Sequence, residues 1–152
     1  MFRDLKELEL KLSYRNAEYV IQRYIDKPLL VKGFKFDLRI YVALIGTGAQ
    51  GSEMQAFIAD EGLARFCTEK YEKPTKDNFK NDYMHLTNYS INKASPNYVW
   101  EPEDILSAND GSKRTLSALW QQLEALEIDT DQIKKSIKHS CEGIMAMFSN
   151  LI

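Results

Sequence analysis

Charged residues alternate with apolar ones in the stretch that begins at Lys35 and reads Lys-Phe-Asp-Leu-Arg-Ile-Tyr. Because successive side chains of a strand point to opposite faces, Lys35, Asp37 and Arg39 are expected on one face of a strand. Phe36 and Leu38 are then expected on the other face, largely buried. The charged row suits the floor of a polyanion site, with two cations for phosphates and a carboxylate for a metal or a hydroxyl group. An ordinary strand with a solvated outer face has the same pattern, so the alternation leaves both interpretations open.

Four further clusters carry side chains able to bind a ligand: Gln22-Arg23-Tyr24-Ile25, Arg65, Thr87-Asn88-Tyr89-Ser90 and Lys113-Arg114. Thr, Asn and Ser side chains bond to nearby backbone as readily as to a ligand, so the third cluster is equally typical of a turn. Ser112 is a suitable helix N-cap, which places the last cluster in a first helical turn. The helix dipole opposes that placement by roughly 0.3–1 kcal/mol per charge. This pair is expected to be solvent-exposed, or else to meet a carboxylate or phosphate.

Nucleophilic catalysis has no support in the sequence. The two histidines, His85 and His139, do not complete a Ser/His/Asp or Cys/His arrangement. His139 lies in a Lys-rich helical segment and is expected on the surface. His85 is either a ligand contact or a hydrogen-bonded structural histidine. No pair of carboxylates stands out as general acid and base.

Composition is typical of a soluble globular protein: of 152 residues, 44% are hydrophobic and 28% charged. The 20 basic and 22 acidic residues give a net charge of −2, so no global field favours nucleic acid or a membrane surface. Cys67 and Cys141 are far apart and lack metal-ligand spacing, which favours reduced thiols in an intracellular protein. No apolar run is long enough to predict a transmembrane segment.

Strands are predicted in the first half of the chain, after a short amphipathic helix over residues 2–12. They are expected over residues 18–25, 35–45, 53–59 and 62–67, with a brief apolar segment at 29–31. Lys32 and Gly33 are expected to turn the chain into the second strand. The glycine-rich stretch 46–51 is interpreted as a hairpin connection rather than a phosphate cradle, and residues 68–83 as a long loop.

The last third of the chain is predicted to be helical, after an irregular segment at 94–102 and one helical turn at 103–106. One apolar stripe consists of Leu116, Leu119, Trp120, Leu123 and Leu126. Asp129 or Thr130 is expected to cap a final helix. The stripe of this helix is expected in the core and consists of Ile133, Ile137, Cys141, Ile144, Met145 and Phe148. Strands followed by helices predict an α+β fold with a mainly antiparallel sheet and C-terminal helices.

Five ordered motifs resemble the tubulin tyrosine ligase-like family. They are Tyr-Ile-Asp-Lys-Pro-Leu-Leu from Tyr24, Lys-Phe-Asp-Leu-Arg-Ile-Tyr-Val from Lys35, Glu-Gly-Leu-Ala-Arg-Phe from Glu61, His-Leu-Thr-Asn-Tyr-Ser-Ile-Asn-Lys from His85 and Gly-Ser-Lys-Arg-Thr-Leu-Ser from Gly111. The resemblance implies an ATP-grasp fold and a ligase that joins an amino acid to a protein carboxylate through an acyl-phosphate, with ATP and Mg²⁺ as cofactors. The similarity is greatest to members that add glutamate to tubulin tails.

The resemblance also implies roles for individual residues. The implied ATP-binding residues are Gln22, Arg23, Tyr24 and Ile25 around the adenine, Lys35 and Asp37 on the nucleotide, and Thr87 and Asn88 near its phosphates and metal. Arg39 is implied to act near the reacting groups, and the implied glutamate-binding residues are Arg65, Tyr89, Ser90 and Lys113. Lys and Arg suit these roles because an acyl-phosphate transition state and a glutamate substrate are both anionic.

The sequence departs from the family pattern at both ends. The family has earlier lysines with a glycine-rich loop over the phosphates, and a late strand whose Asp and Glu-x-Asn hold magnesium. Neither is found here. We therefore expect residues 1–152 to form a single, incomplete ATP-grasp domain that contains no metal ligands and does not turn over ATP on its own.

The first hypothesis for function is an ATP-dependent ligase that adds glutamate to tubulin-tail carboxylates. The alternative is a non-catalytic structural protein of microtubules or the axoneme, derived from the same family; a third hypothesis is a free-standing nucleotide-binding regulatory module. Expected partners are tubulin or microtubules, glutamate and other axonemal or microtubule-associated proteins, with no nucleic acid and no membrane. The expected location is the cytoplasm and cytoskeleton, with the cilium axoneme or basal body as narrower alternatives.

Overall fold

The computed structural model describes residues 6, 20–46, 55–99 and 111–149, with the side chains of 148 and 149 left out. Its elements are β1 (Leu30–Val31), β2 (Phe34–Arg39), β3 (Val42–Ile45), β4 (Gln55–Ile58), β5 (Leu63–Phe66), α1 (Asp82–His85), α2 (Tyr89–Asn92), β6 (Lys113–Thr115), α3 (Leu116–Glu124) and α4 (Thr130–Ser149). Strands precede the two longest of these helices, which confirms the α+β prediction.

Four strands form one antiparallel sheet in the order β1-β2-β5-β6, and β3 pairs with β4 in a separate antiparallel hairpin. The predicted turn between β1 and β2 is confirmed. Lys32 and Gly33 both have positive φ, at 51° and 84°. Positive φ at both central positions is characteristic of the type I′ two-residue hairpin turn, whose twist matches that of the flanking strands.

The strand predicted over residues 18–25 is wrong where the structure describes it, since residues 20–25 are irregular. Val20 is 90% exposed and Ile25 is 73% exposed, so these β-branched side chains do not pack on any of the strands that the structure describes. Strand propensity is a weak preference that acts through such packing. The long strand predicted over 35–45 is likewise divided, because β2 pairs with β5 whereas β3 pairs with β4.

The helix start predicted at Ser112 is wrong. Lys113 and Arg114 lie in β6, which pairs with β5, and Arg114 is buried rather than solvent-exposed. The N-cap of α3 is Thr115, whose hydroxyl accepts a hydrogen bond from the Ala118 amide at 3.1 Å. Ser112 instead accepts a hydrogen bond from the Val99 amide. Residues 113–115 pair with β5 through ladder hydrogen bonds instead of starting a helix. The helix therefore begins three residues later than predicted.

The core lies between one face of the four-stranded sheet and α3. It consists of Val31, Ala64, Phe66, Leu119 and Leu123. Phe36 and Leu38 pack against this cluster, which confirms their face, although they are half-buried rather than largely buried. The predicted stripe of α3 is confirmed up to Leu123, whereas Leu126 is 52% exposed.

Helix α4 begins as predicted, since the Asp129 carboxylate accepts a hydrogen bond from the Gln132 amide at 2.9 Å. Of the predicted core residues in its apolar stripe, Ile133 packs against the core cluster, whereas the stripe becomes exposed further along the helix. Ile133, Ile137 and Cys141 are half-buried beside Ile40, and Ile144 is 46% exposed. The reason is length: α4 has 20 residues and α3 has 9, so α4 extends beyond the helix it packs against.

Other expectations lie outside the described residues. They concern the helix over 2–12, apart from the helical Lys6, the loop over 47–54, the segment over 100–110 and the Phe148 side chain. Within the described ranges, none of the helices is both long enough and apolar enough to cross a membrane.

Candidate functional site

Charged side chains form a row across the three strands β2, β5 and β6. Asp37 lies directly opposite Arg65, and Arg65 lies directly opposite Lys113. Residues that face each other across an antiparallel pair project to the same side of the sheet, so these three share one face. Lys35 and Arg39 lie on this face too, because they are two positions from Asp37 on β2. The core covers the other face.

Asp37 and Arg65 form a two-pronged ion pair at the centre of this row. The Arg65 Nε donates to Asp37 Oδ1 at 2.8 Å, and the Arg65 Nη2 donates to Asp37 Oδ2. Hydrogen bonding to Asp37 raises the pKa of Arg65, against the opposing effect of burial. The pair is partly shielded, with the side chains 16% and 34% exposed. The charges of Asp37 and Arg65 offset each other, which leaves Lys35, Lys113 and, at the end of β2, Arg39 as the other cations of this face.

Lys35 is held by residues from two distant parts of the chain. Its Nζ donates to the His85 carbonyl oxygen at 2.7 Å and to the Tyr24 hydroxyl at 3.1 Å. The same Nζ lies 4.5 Å from the centroid of the Tyr24 ring, within cation–π range. Burial lowers the pKa of Lys35, and the neighbouring Cys67 and Asp37 oppose that shift. The ammonium is thus fixed close to Asp37.

The segment that follows His85 adds polar groups next to this face. Asn88 occupies the N-cap position of α2 without a capping bond from its side chain, so its amide is not committed to the helix. Tyr89 is 43% exposed, and its ring centroid lies 5.5 Å from Lys113 Nζ and 5.6 Å from Lys93 Nζ. Thr87 is half-buried and Ser90 is exposed. The structure therefore brings Tyr89 to the Lys113 end of the row, while His85, at the start of the same segment, binds Lys35 at the other end.

Asn92, which the motif contained but to which no role was given, anchors this segment. It is 1% exposed, and its Oδ1 accepts from both the amide and the hydroxyl of Thr68 at 3.0 Å. Its Nδ2 donates to the Leu86 and Asn88 carbonyl oxygens at 2.6 Å and 3.1 Å. One buried amide thereby ties the loop that follows β5 to the segment that carries Thr87 and Asn88.

Glu61 is a second residue that the sequence analysis missed. Its Oε1 accepts from the Gly62 amide at 2.9 Å and from the Leu116 amide at 2.8 Å, and its Oε2 accepts from the Ser117 hydroxyl at 2.6 Å. It therefore binds the amino end of α3, directly after the strand that carries Lys113. The sequence did contain a signal for this contact. Glu61 is the first residue of the motif Glu-Gly-Leu-Ala-Arg-Phe, and its partner Ser117 is the last residue of the motif Gly-Ser-Lys-Arg-Thr-Leu-Ser.

Four other predicted site residues have exposed side chains. Gln22, Arg23 and Ile25 have exposed side chains, unlike the half-buried Tyr24 between them. Arg39 lies at the end of β2 with an exposed side chain. The adenine-binding and catalytic roles implied for these residues stay predictions.

In the described part of the chain, no group of three or more His, Cys, Asp or Glu residues could hold a metal ion. The carboxylate on the charged face, that of Asp37, is engaged by Arg65. These residues do not fit a resident Mg²⁺ site.

A model of the tubulin-tyrosine ligase family matches residues 1–148, and the chain belongs to this family. It is similar to the probable beta-tubulin polyglutamylase of Tetrahymena thermophila, with 42% identity over 79% of this chain and 10% of the relative. It is also similar to the tubulin polyglutamylase ttll-11 of Caenorhabditis elegans, with 44% identity over 78% of this chain and 16% of the relative. The human tubulin polyglutamylase TTLL11 is 37% identical over 90% of this chain and 18% of the relative. The chain thus matches less than a fifth of the length of each of these relatives.

Proposed function

We propose that the face carrying Lys35, Asp37, Arg65 and Lys113 belongs to the ATP and glutamate site of a ligase that adds glutamate to tubulin-tail carboxylates. The names of the relatives as tubulin polyglutamylases support the reaction and tubulin as the substrate. The observation that carries the proposal is the row of Asp37, Arg65 and Lys113 across three strands, next to Lys35. Cations brought together in this way repel each other, and an anionic ligand relieves that repulsion.

In this proposal the nucleotide lies at the Lys35 end of the face. A lysine ammonium has three donors. Two of them bind the Tyr24 hydroxyl and the His85 carbonyl oxygen, and none of the other described residues takes the third. That donor points to an anionic or polar group of ATP, while Thr87 and the uncommitted amide of Asn88 lie near the phosphates. Gln22, Arg23, Tyr24 and Ile25 border the adenine, and Asp37 contacts the nucleotide.

Glutamate binds at the other end, on Arg65, Tyr89, Ser90 and Lys113. A guanidinium binds a carboxylate with two parallel hydrogen bonds, which is the geometry Arg65 already makes with Asp37. Glutamate therefore replaces the Asp37 carboxylate on Arg65 with a carboxylate of its own, so the guanidinium keeps an anionic partner. Arg39, at the end of β2, stabilises negative charge on the reacting phosphoryl and acyl oxygens.

We also propose the cofactors, the protein partner and the cellular location. ATP and Mg²⁺ are the general requirements of the family, with the metal held by residues other than those described here. Residues 1–152 belong to one ATP-grasp domain, tubulin is the protein partner, and the chain acts at the cytoskeleton, including the cilium axoneme or basal body.

A chimera tests this function. Residues 20–117 replace the matching segment of ttll-11 from Caenorhabditis elegans, and glutamate added to purified tubulin is measured by mass spectrometry. We expect glutamate addition by the chimera, and a loss of about a hundredfold or more when it also carries Lys35→Ala or Arg65→Ala. Lys76→Ala, at an exposed lysine outside the strands β2, β5 and β6, is the matched control and keeps full activity.

A folded chimera that adds no glutamate would contradict the proposal. Folding is checked by a cooperative thermal transition close to that of the parent enzyme. Co-sedimentation of such an inactive chain with microtubules would favour instead the non-catalytic structural protein.

A further inference from the structure

His85 is the buried group to which Lys35 and Tyr24 are both attached. It is 1% exposed, and its carbonyl oxygen accepts from Lys35 Nζ at 2.7 Å. Its Nδ1 lies 3.1 Å from the Tyr24 hydroxyl, and its Nε2 lies 3.1 Å from the Asn78 carbonyl oxygen. The rings of Tyr24 and Tyr71 both stand edge-on to the imidazole, with centroids at 5.8 Å and 5.7 Å. The imidazole is therefore fixed in position and in rotation.

The direction of every bond in this chain follows from donor and acceptor chemistry. A carbonyl oxygen only accepts, so the hydrogen of a neutral His85 ring lies on Nε2 and is donated to Asn78. Nδ1 is then an acceptor, and the Tyr24 hydroxyl donates to it. An ammonium only donates, so Lys35 donates to the Tyr24 oxygen. The sequence of donation is Lys35 to Tyr24, Tyr24 to His85 and His85 to Asn78.

The surroundings keep the imidazole neutral. Burial lowers the pKa of His85, and the nearby Lys35 ammonium lowers it further. The Asn78 carbonyl oxygen and the Asp82 carboxylate act in the opposite direction but do not reverse the shift. A protonated ring would turn an Nδ1 hydrogen toward Tyr24, so that the hydroxyl would face two cations and would have to donate elsewhere. A neutral ring is the state that matches these hydrogen bonds and the burial of the imidazole beside Lys35, and the Tyr71 hydroxyl is a second hydrogen-bond partner of Tyr24.

We propose that His85 is a positioning residue for Lys35: its carbonyl oxygen and its Nδ1, the latter through the Tyr24 hydroxyl, fix the lysine ammonium so that its remaining donor faces an anionic group of the nucleotide. This inference rests on the proposed function for the identity of the ligand. The positioning itself rests on the hydrogen bonds and on the burial of His85. Besides the adenine-binding role proposed above, Tyr24 thus links His85 to Lys35, because its hydroxyl bonds both side chains.

The first test is a long-range ¹H–¹⁵N spectrum of the 152-residue chain at neutral pH. The chain has two histidines, and the exposed His139 on α4 supplies the second imidazole signal, which His139→Gln removes to complete the assignment. We expect His85 to be a neutral Nε2–H tautomer, and Tyr24→Phe to move its Nδ1 resonance. A hydrogen on Nδ1, or an Nδ1 resonance that Tyr24→Phe leaves unchanged, would overturn the proposal.

The second test measures Lys35 and the nucleotide together, using ADP as the probe. The glutamine side chain of His85→Gln keeps a donor and an acceptor, whereas the leucine side chain of His85→Leu has neither, and both variants keep the backbone carbonyl oxygen that Lys35 binds. We expect the ordered Lys35 ammonium signal in the lysine ¹H–¹⁵N spectrum to be retained in the first variant and to be shifted and broadened in the second, which loses the contact through Tyr24. ADP should bind about tenfold more weakly to His85→Leu than to His85→Gln, the effect of one charge-assisted hydrogen bond.

These readouts separate the two proposals. If the wild-type chain binds no ADP, the proposed function fails, and the two spectra alone decide whether His85 positions Lys35. If His85→Leu does not fold, the Tyr24→Phe comparison still decides. An unchanged Lys35 signal in both folded His85 variants would overturn the positioning role, whatever their affinity for ADP.

Discussion

Arg65 on β5 faces Asp37 on β2 directly across the sheet and binds it with two hydrogen bonds, although the two residues are 28 positions apart. Each of the two groups is a ligand-binding residue in the proposed site. The pair therefore keeps a half-buried cation and a carboxylate satisfied until a ligand replaces one of them. It also joins the nucleotide end of the face to the glutamate end.

A double-mutant cycle measures the strength of this pair. We expect Asp37→Ala and Arg65→Ala to show a coupling of about 1 kcal/mol in the free energy of unfolding, from urea titrations of both single variants and the double variant. The value is small because Asp37 is 34% exposed and water screens the charges. Additive effects of the two substitutions would show that the ion pair does not form in solution.

A second prediction concerns the close approach of β2 to the start of β5. A Cβ atom at Gly62 would lie 2.3 Å from the Arg39 carbonyl oxygen and 3.0 Å from Leu116 Cδ1. Because backbone must move to admit it, we expect Gly62→Ala to lower the free energy of unfolding by roughly 1–3 kcal/mol.

Gly143→Ala is the matched control for this substitution. Gly143 lies within α4, and a Cβ atom there would meet no atom within 4 Å. Alanine is a better helix former than glycine, so this variant should be more stable by about 0.5–1 kcal/mol. If chemical denaturation gave both variants the same stability, β2 and β5 would not approach each other as described.

A third prediction uses the carboxylate that binds the amino end of α3. Burial alone would raise the pKa of Glu61, but hydrogen bonds from the Ser117 hydroxyl and from the Gly62, Ser117 and Leu116 amides lower it overall. A lowered pKa means that the ionised group stabilises the fold above the pKa of the unfolded chain, near 4.3 for glutamate. This stabilisation is lost as the pH falls through the lower pKa of the folded state.

Glu61→Gln isolates this effect, because the amide keeps an acceptor oxygen but carries no charge. The wild type should be more stable than the variant by about 0.5–1 kcal/mol at pH 7, a small value because the Glu61 side chain is exposed. The difference should shrink below about pH 4. Urea titrations between neutral and acidic pH give the comparison, and a difference that stays constant over this range would rule out the charge as its cause.

Local patterns predicted much of this fold. The alternation around Asp37 gave the faces of β2, the Lys32-Gly33 pair gave the turn, and the apolar stripe of α3 gave most of its buried face. Each of these depends on residues near one another in sequence. The predicted faces were correct because one side of the sheet is covered by the core and the other is not.

Pairing between distant segments was not predictable in the same way. The irregular stretch at 20–25 and the placement of Lys113 in β6 depend on which strand edges are free, and local composition does not contain that information. The same holds for Glu61, whose partner Leu116 is 55 positions away. For the candidate site, the residue types came from motifs, whereas the Asp37–Arg65 pair and the attachment of Lys35 to His85 came from the structure.

The binding of ATP and of glutamate to the purified 152-residue chain, measured by isothermal titration calorimetry, tests the central claim most directly. We predict saturable binding of both ligands, with ATP binding weakened about tenfold by Lys35→Ala, glutamate binding weakened about tenfold by Arg65→Ala, and neither changed by Lys76→Ala. No binding by the folded wild-type chain, or equal affinities in the wild type and the Lys35→Ala and Arg65→Ala variants, would contradict the assignment of this face as the ATP and glutamate site.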